Sequence, residues 1–79
     1  MKIASIKKLV NLYDLEELKK AEESFYAEEN PSIEIEGDDL GEKLTHVLAA
    51  IDIKRDVQNG AKLNEAIRSF SQRVRSSIS

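Results

Sequence analysis

Residues 37–60 read GDDLGEKLTHVLAAIDIKRDVQNG and form the most apolar long segment of the chain. At about 100° per residue, this segment carries two apolar stripes. The first stripe consists of Leu40, Leu44, Val47, Leu48 and Ile51. The second consists of His46, Ala50, Ile53 and Val57. A helix that is apolar on two sides lies either between two parts of its own chain or between its chain and a partner.

Both ends of this segment carry helix-boundary signals. Asp39 followed by Glu42 fits a capping box, in which each side chain binds a backbone N–H of the first turn. At the other end, Gly60 follows Asn59 and supplies the left-handed residue that commonly ends a helix. The sequence therefore predicts one long central helix between these signals.

The preceding residues predict two shorter helices and an extended connector. Residues 2–12 carry one apolar stripe, and Asp14 with Glu17 predicts a capping box that begins a second helix, ended by Asn30-Pro31. Ser32 to Gly37 then alternates isoleucine with glutamate. We favour an extended connector here over a strand that pairs with its symmetry mate, because short isolated runs rarely form strands.

A last helix follows Gly60. Its apolar face is formed by Leu63, Ala66, Ile67, Phe70 and Val74. The expected fold is all-α: a single helical domain over residues 1–79, with two short helices, an extended connector, a long central helix and a C-terminal helix.

Length and composition indicate that this domain associates. A chain of 79 residues buries only roughly 60% of its unfolded surface, so its own core is marginal. Cysteine is absent and there is one histidine, which excludes disulfides and leaves little for a metal cage. Oligomerisation is the remaining common means of stabilising a small fold, so we expect a homodimer. No apolar run is long enough to span a membrane and no signal segment is recognisable, so we expect a cytoplasmic protein.

Charge is distributed unevenly along the chain. Residues 1–13 carry +3, residues 14–42 hold twelve acids against two lysines for −10, and residues 43–79 carry +4. Such a chain can fold its acidic middle near its basic ends, or meet a second copy with charges matched.

The side chains best placed for chemistry are Asp39, Glu42 and His46, which lie within a helix sector about 60° wide. They form a candidate half-site for a divalent metal, completed by a dimer mate or by water. However, the capping role already explains the acids, and His46 continues the apolar stripe. We therefore interpret the cluster as structural and assign no metal and no cofactor.

Other chemistries have less support. There is no cysteine, the serines lie mostly near the C-terminus, and the three glycines form no phosphate-binding loop, so we do not expect an enzyme. Arg68, Arg73 and Arg75 could contact nucleic acid, but they form a weak patch beside a larger acidic segment.

The stretch IEIEGDDLGEKLTHVLAAIDIKRD, together with the opening MKIASIKKLV, resembles a family of short, uncharacterised bacterial proteins. In that family an acidic Glu-Gly-Asp turn precedes a motif that here spans Gly41 to Ile51. The resemblance covers nearly the whole chain. It implies a stand-alone small helical protein and assigns no catalytic residue.

The leading functional hypothesis is a small interaction or structural module that acts as a homodimer or with a protein partner. The predicted interface is the second stripe, namely His46, Ala50, Ile53 and Val57. The alternatives are a metal-binding module at Asp39, Glu42 and His46, and a nucleic-acid-associated regulator that uses the C-terminal arginines.

Overall fold

The computed structural model of the chain describes the backbone of residues 2–78 and the side chains of residues 2–74. Within these limits there are four helices and no strand. They are α1 (Ile3–Leu12), α2 (Leu15–Tyr26), α3 (Leu40–Gln58) and α4 (Leu63–Ile78). The predicted all-α arrangement is confirmed. None of the described helices combines the length and apolar character that crossing a membrane requires.

Helix α3 is the element on which the other three pack. Two hydrogen bonds fix α1 against it: the Lys2 N–H donates to His46 Nε2 (3.0 Å), and Lys54 Nζ donates to the Val10 carbonyl (2.7 Å). Each bond joins residues that are 44 apart in sequence. Because the contact moves from residue 2 to residue 10 along α1 as it moves from residue 46 to residue 54 along α3, the two helices run parallel.

The predicted helix starts are present. Asp14 Oδ1 accepts from the Glu17 N–H (2.8 Å), and Glu17 Oε1 accepts in return from the Asp14 N–H (3.3 Å), so α2 begins with a complete capping box. Asp39 Oδ1 accepts from the Glu42 N–H (2.7 Å) at the start of α3. The capping box predicted there is therefore only half formed: Asp39 caps the helix, but the Glu42 side chain does not bond back to the Asp39 N–H.

Helix α2 ends at Tyr26, four residues before the Asn30-Pro31 boundary that the sequence predicts. The helix closes when Glu28 adopts a left-handed φ of 57°. The Glu28 and Glu29 N–H groups then donate to the carbonyls of Phe25 (3.2 Å) and Ser24 (2.8 Å). This is the Schellman pattern, and it satisfies carbonyls that a helix end leaves without partners. The prediction was wrong because glutamate gives no sequence signal for such a turn.

The connector between α2 and α3 is irregular and anchored by its isoleucines. Ile35 is buried and Ile33 is half-buried, while Glu34 and Glu36 between them are exposed. The Glu34 N–H donates to the Tyr13 hydroxyl (3.4 Å), and the Glu36 carbonyl contacts His46. The alternation in the sequence therefore reflects an anchored connector, as favoured, and not a strand of this chain.

Candidate association surface

The second stripe of α3 lies inside the chain. His46, Ala50 and Ile53 are fully buried, and Val57 is half-buried and packs against the core. The prediction that these residues form an interface needs correction, because the chain's own elements already cover them. The reason is topological: α3 has neighbours from three helices, so its second apolar side is used within one molecule.

His46 joins three elements of the fold. Its Nδ1 lies 2.8 Å from the Glu36 carbonyl, and its Nε2 accepts from the Lys2 N–H. Because Nε2 accepts a hydrogen bond, its lone pair is not protonated, so Nδ1 carries the ring N–H and donates a hydrogen bond to the Glu36 carbonyl. The ring is thus a neutral, fully satisfied core histidine that ties the start of α1 and the end of the connector to α3.

The metal hypothesis gains no support from this geometry. Both ring nitrogens of His46 are engaged with the backbone, and the Asp39 carboxylate caps the first turn of α3. Glu42 Oε1 lies 3.7 Å from His46 Nε2, beyond hydrogen-bond distance. Across the described residues, no group of three or more His, Asp or Glu side chains comes together as a metal ion would require.

Of the three C-terminal arginines, Arg73 is engaged in ion pairs within the chain. Arg73 lies between two aspartates of α3, with its guanidinium 2.8 Å from Asp52 and 3.3 Å from Asp56. Arg68 is exposed, and the side chain of Arg75 lies outside the described residues. Arg73 therefore holds α4 on α3 through its ion pairs with Asp52 and Asp56. Its engagement within the chain gives no support to nucleic-acid binding.

The first stripe of α3 is where apolar surface reaches solvent. Val47 and Ile51 are buried, but Leu40 is 69% exposed, Leu48 is 41% exposed and Leu44 between them is half-buried. Leu40, Leu44 and Leu48 are spaced by four and follow one face of the helix. We call these three side chains the leucine row.

The sequence could not distinguish the two stripes because both have helical spacing and similar apolar content. The outcome depends on where α1, α2 and α4 pack. A weak signal was the position of His46 in the second stripe, because a lone imidazole requires partners that a solvent-excluding core with nearby backbone can supply.

An exposed aromatic residue, Tyr26, lies at the end of α2 and is 65% exposed. Its hydroxyl donates to Glu22 Oε2 (3.1 Å) on the same helix. This hydrogen bond, with small additions from desolvation and the negative charge of Glu22, raises the pKa of Tyr26 above its ordinary value. The hydrogen bond lies within the last turns of α2 and does not link that helix to another element.

Comparison with known proteins places the whole chain in one family. The chain belongs to a family of unknown function, DUF6952, whose model matches residues 1–79. No curated protein and no solved structure matches the chain.

Proposed function

We propose that this member of the DUF6952 family is a small helical interaction module that acts as a homodimer, with the leucine row as its self-association surface. The observation that carries the proposal is the exposure of Leu40 and Leu48, at 69% and 41%, on the one helix around which the chain folds. A contiguous apolar row at helical spacing is typical of a surface that another helix covers. We assign the module no catalytic step.

Charge favours a second copy in antiparallel orientation. Asp38 and Asp39 lie exposed at the start of α3, and Arg55 lies exposed on its last turns. Arg55 follows Leu48 by seven residues and so shares the face of the leucine row. If Leu44 of one copy meets Leu48 of the other, Arg55 lies opposite residues 37–38 of its mate, near the carboxylate of Asp38. The two-fold axis makes this contact occur twice in the dimer.

Sedimentation equilibrium tests the proposal. The chain is expected to dimerise below about 1 mM, the concentration at which an interface worth ~4 kcal/mol is half-populated. Leu48→Glu is expected to give a monomer of unchanged helicity, because it places a charge against the apolar Leu44 of the other copy. Leu12→Glu is the matched control, since Leu12 is 60% exposed on α1 and lies outside the row.

Two results would contradict a dimer formed through the leucine row. One is a monomeric parent chain throughout that concentration range. The other is a Leu12→Glu variant that dissociates as readily as Leu48→Glu, which would place the contact elsewhere on the molecule.

A further inference from the structure

A groove lies between the C-terminal end of α2 and the first turn of α3, above the connector. Two spaces of about 270 Å³ and 400 Å³ form it, and they adjoin because both are bounded by Phe25, Asn30, Pro31 and Leu40. The ring of Phe25, the Pro31 ring and the Leu40 side chain give this groove an apolar floor. Its size suits one or two apolar side chains of a bound peptide.

The rim of the groove is acidic. Glu28 and Glu29 border one space and Glu34 borders the other, and all three are exposed. None of these carboxylates forms an ion pair with a described base. Lys43 also lines the groove, which therefore holds one base against three acids, and the preceding residues 14–42 carry a net charge of −10. The local field therefore attracts cations and repels phosphates.

We propose that this groove binds a basic amphipathic segment of a partner protein. Apolar side chains of the segment rest on Phe25, Pro31 and Leu40, and its lysines or arginines meet Glu28, Glu29 and Glu34. An apolar floor with a charged rim is the usual arrangement of peptide-binding surfaces, in which the floor supplies affinity and the rim selects the partner. The acidic rim selects against an anionic ligand, so the occupant is a cationic peptide.

The groove shares Leu40 with the leucine row, so a homodimer formed through that row and a bound peptide would compete for this side chain. The dimer contact described above centres on Leu44 and Leu48, which do not line the groove. A chain that is monomeric through Leu48→Glu therefore retains the groove. Because the peptide is measured in that monomeric background, its binding does not depend on whether the parent chain dimerises.

The test uses a fluorescent synthetic peptide of 14 leucines and lysines arranged with helical periodicity, measured by anisotropy in the Leu48→Glu background. Binding is expected at tens of micromolar, about 6 kcal/mol. Glu28→Gln with Glu29→Gln is expected to weaken it about tenfold, because two rim charges are lost. The matched control is Glu16→Gln with Glu23→Gln, which removes the same charge from exposed positions elsewhere on α2 and should change the affinity less than about twofold.

A second variant tests the floor. Leu40→Ser is expected to weaken the peptide about fivefold without unfolding the chain, since Leu40 is 69% exposed. Equal weakening by the two glutamine pairs would show diffuse charge attraction and overturn the site. So would an affinity unchanged by Leu40→Ser, or no binding up to about 1 mM, which is ~4 kcal/mol.

Discussion

His46 shows at the scale of one residue how a polar side chain can hold a small core together. It is fully buried, and each ring nitrogen has one backbone partner, Glu36 on one side and Lys2 on the other. Removing such a side chain leaves two part-buried backbone groups without their partners, and the cost of leaving such groups unpaired adds to the loss of the hydrogen bonds themselves.

We therefore predict that His46→Leu lowers the free energy of unfolding by about 2–3 kcal/mol, although leucine is apolar and close in size. Urea denaturation followed by circular dichroism measures the change. Glu42→Gln is the control, because Glu42 only approaches His46 at 3.7 Å and its loss should cost less than about 0.5 kcal/mol. A His46→Leu chain as stable as the parent would show that the two backbone bonds contribute nothing.

Little of this residue-level detail could be read from the sequence. The stripe that contains His46 was recognisable, and so was the conflict between a metal role and a structural one. Its two partners were not, because they are backbone groups of residues 10 and 44 positions away, and backbone groups have no sequence signature. The side-chain caps at Asp14 and Asp39 were predictable because capping is local and depends on residue type.

At the scale of the element, α2 and α3 end in the same hydrogen-bond pattern with different residues at the left-handed position. Gly60 has φ 106° and Glu28 has φ 57°. The Gly60 and Ala61 N–H groups donate to Val57 (3.1 Å) and Asp56 (3.0 Å), in the same pattern as the bonds that close α2. A residue with a Cβ is disfavoured in this conformation, so α2 ends with a strained residue where α3 does not.

We predict that Glu28→Gly stabilises the chain by about 0.5–1 kcal/mol, and that Gly60→Ala destabilises it by about 1 kcal/mol. The space around a Cβ at Gly60 is open, so the cost there is conformational and not a steric clash. Thermal denaturation of the two variants measures both signs. A stabilising Gly60→Ala would contradict this account of the α3 end.

The same comparison explains why one helix end was predictable and the other was not. A glycine after an asparagine predicts that α3 ends with a left-handed residue at Gly60. Glutamate has no preference for this conformation, so the sequence around Glu28 carries no stop signal and the next local signal is Pro31. The connector was recognisable from the sequence because isoleucine alternates with glutamate there. In the structure the two isoleucines anchor the connector and the glutamates are exposed.

In the whole molecule, the three other helices pack against α3, and each of them contributes side chains to the shared core. The radius of gyration is 12.1 Å, close to the roughly 12 Å expected for a compact chain of this length. The all-α architecture and the central place of α3 followed from hydrophobic periodicity. The use of its two stripes did not, because periodicity shows that a face is apolar but not which neighbour covers it.

If the second stripe of α3 is internal, Ile53→Asp should unfold the chain, and its circular dichroism spectrum measures this. Ile53 is fully buried, so an aspartate there places an unpaired charge in the core and should cost more than about 4 kcal/mol, comparable to the stability of a small domain. The account predicts an unfolded chain with most of its helical signal lost. A variant that keeps its helicity and merely changes from dimer to monomer would contradict it and return the interface to His46, Ala50, Ile53 and Val57.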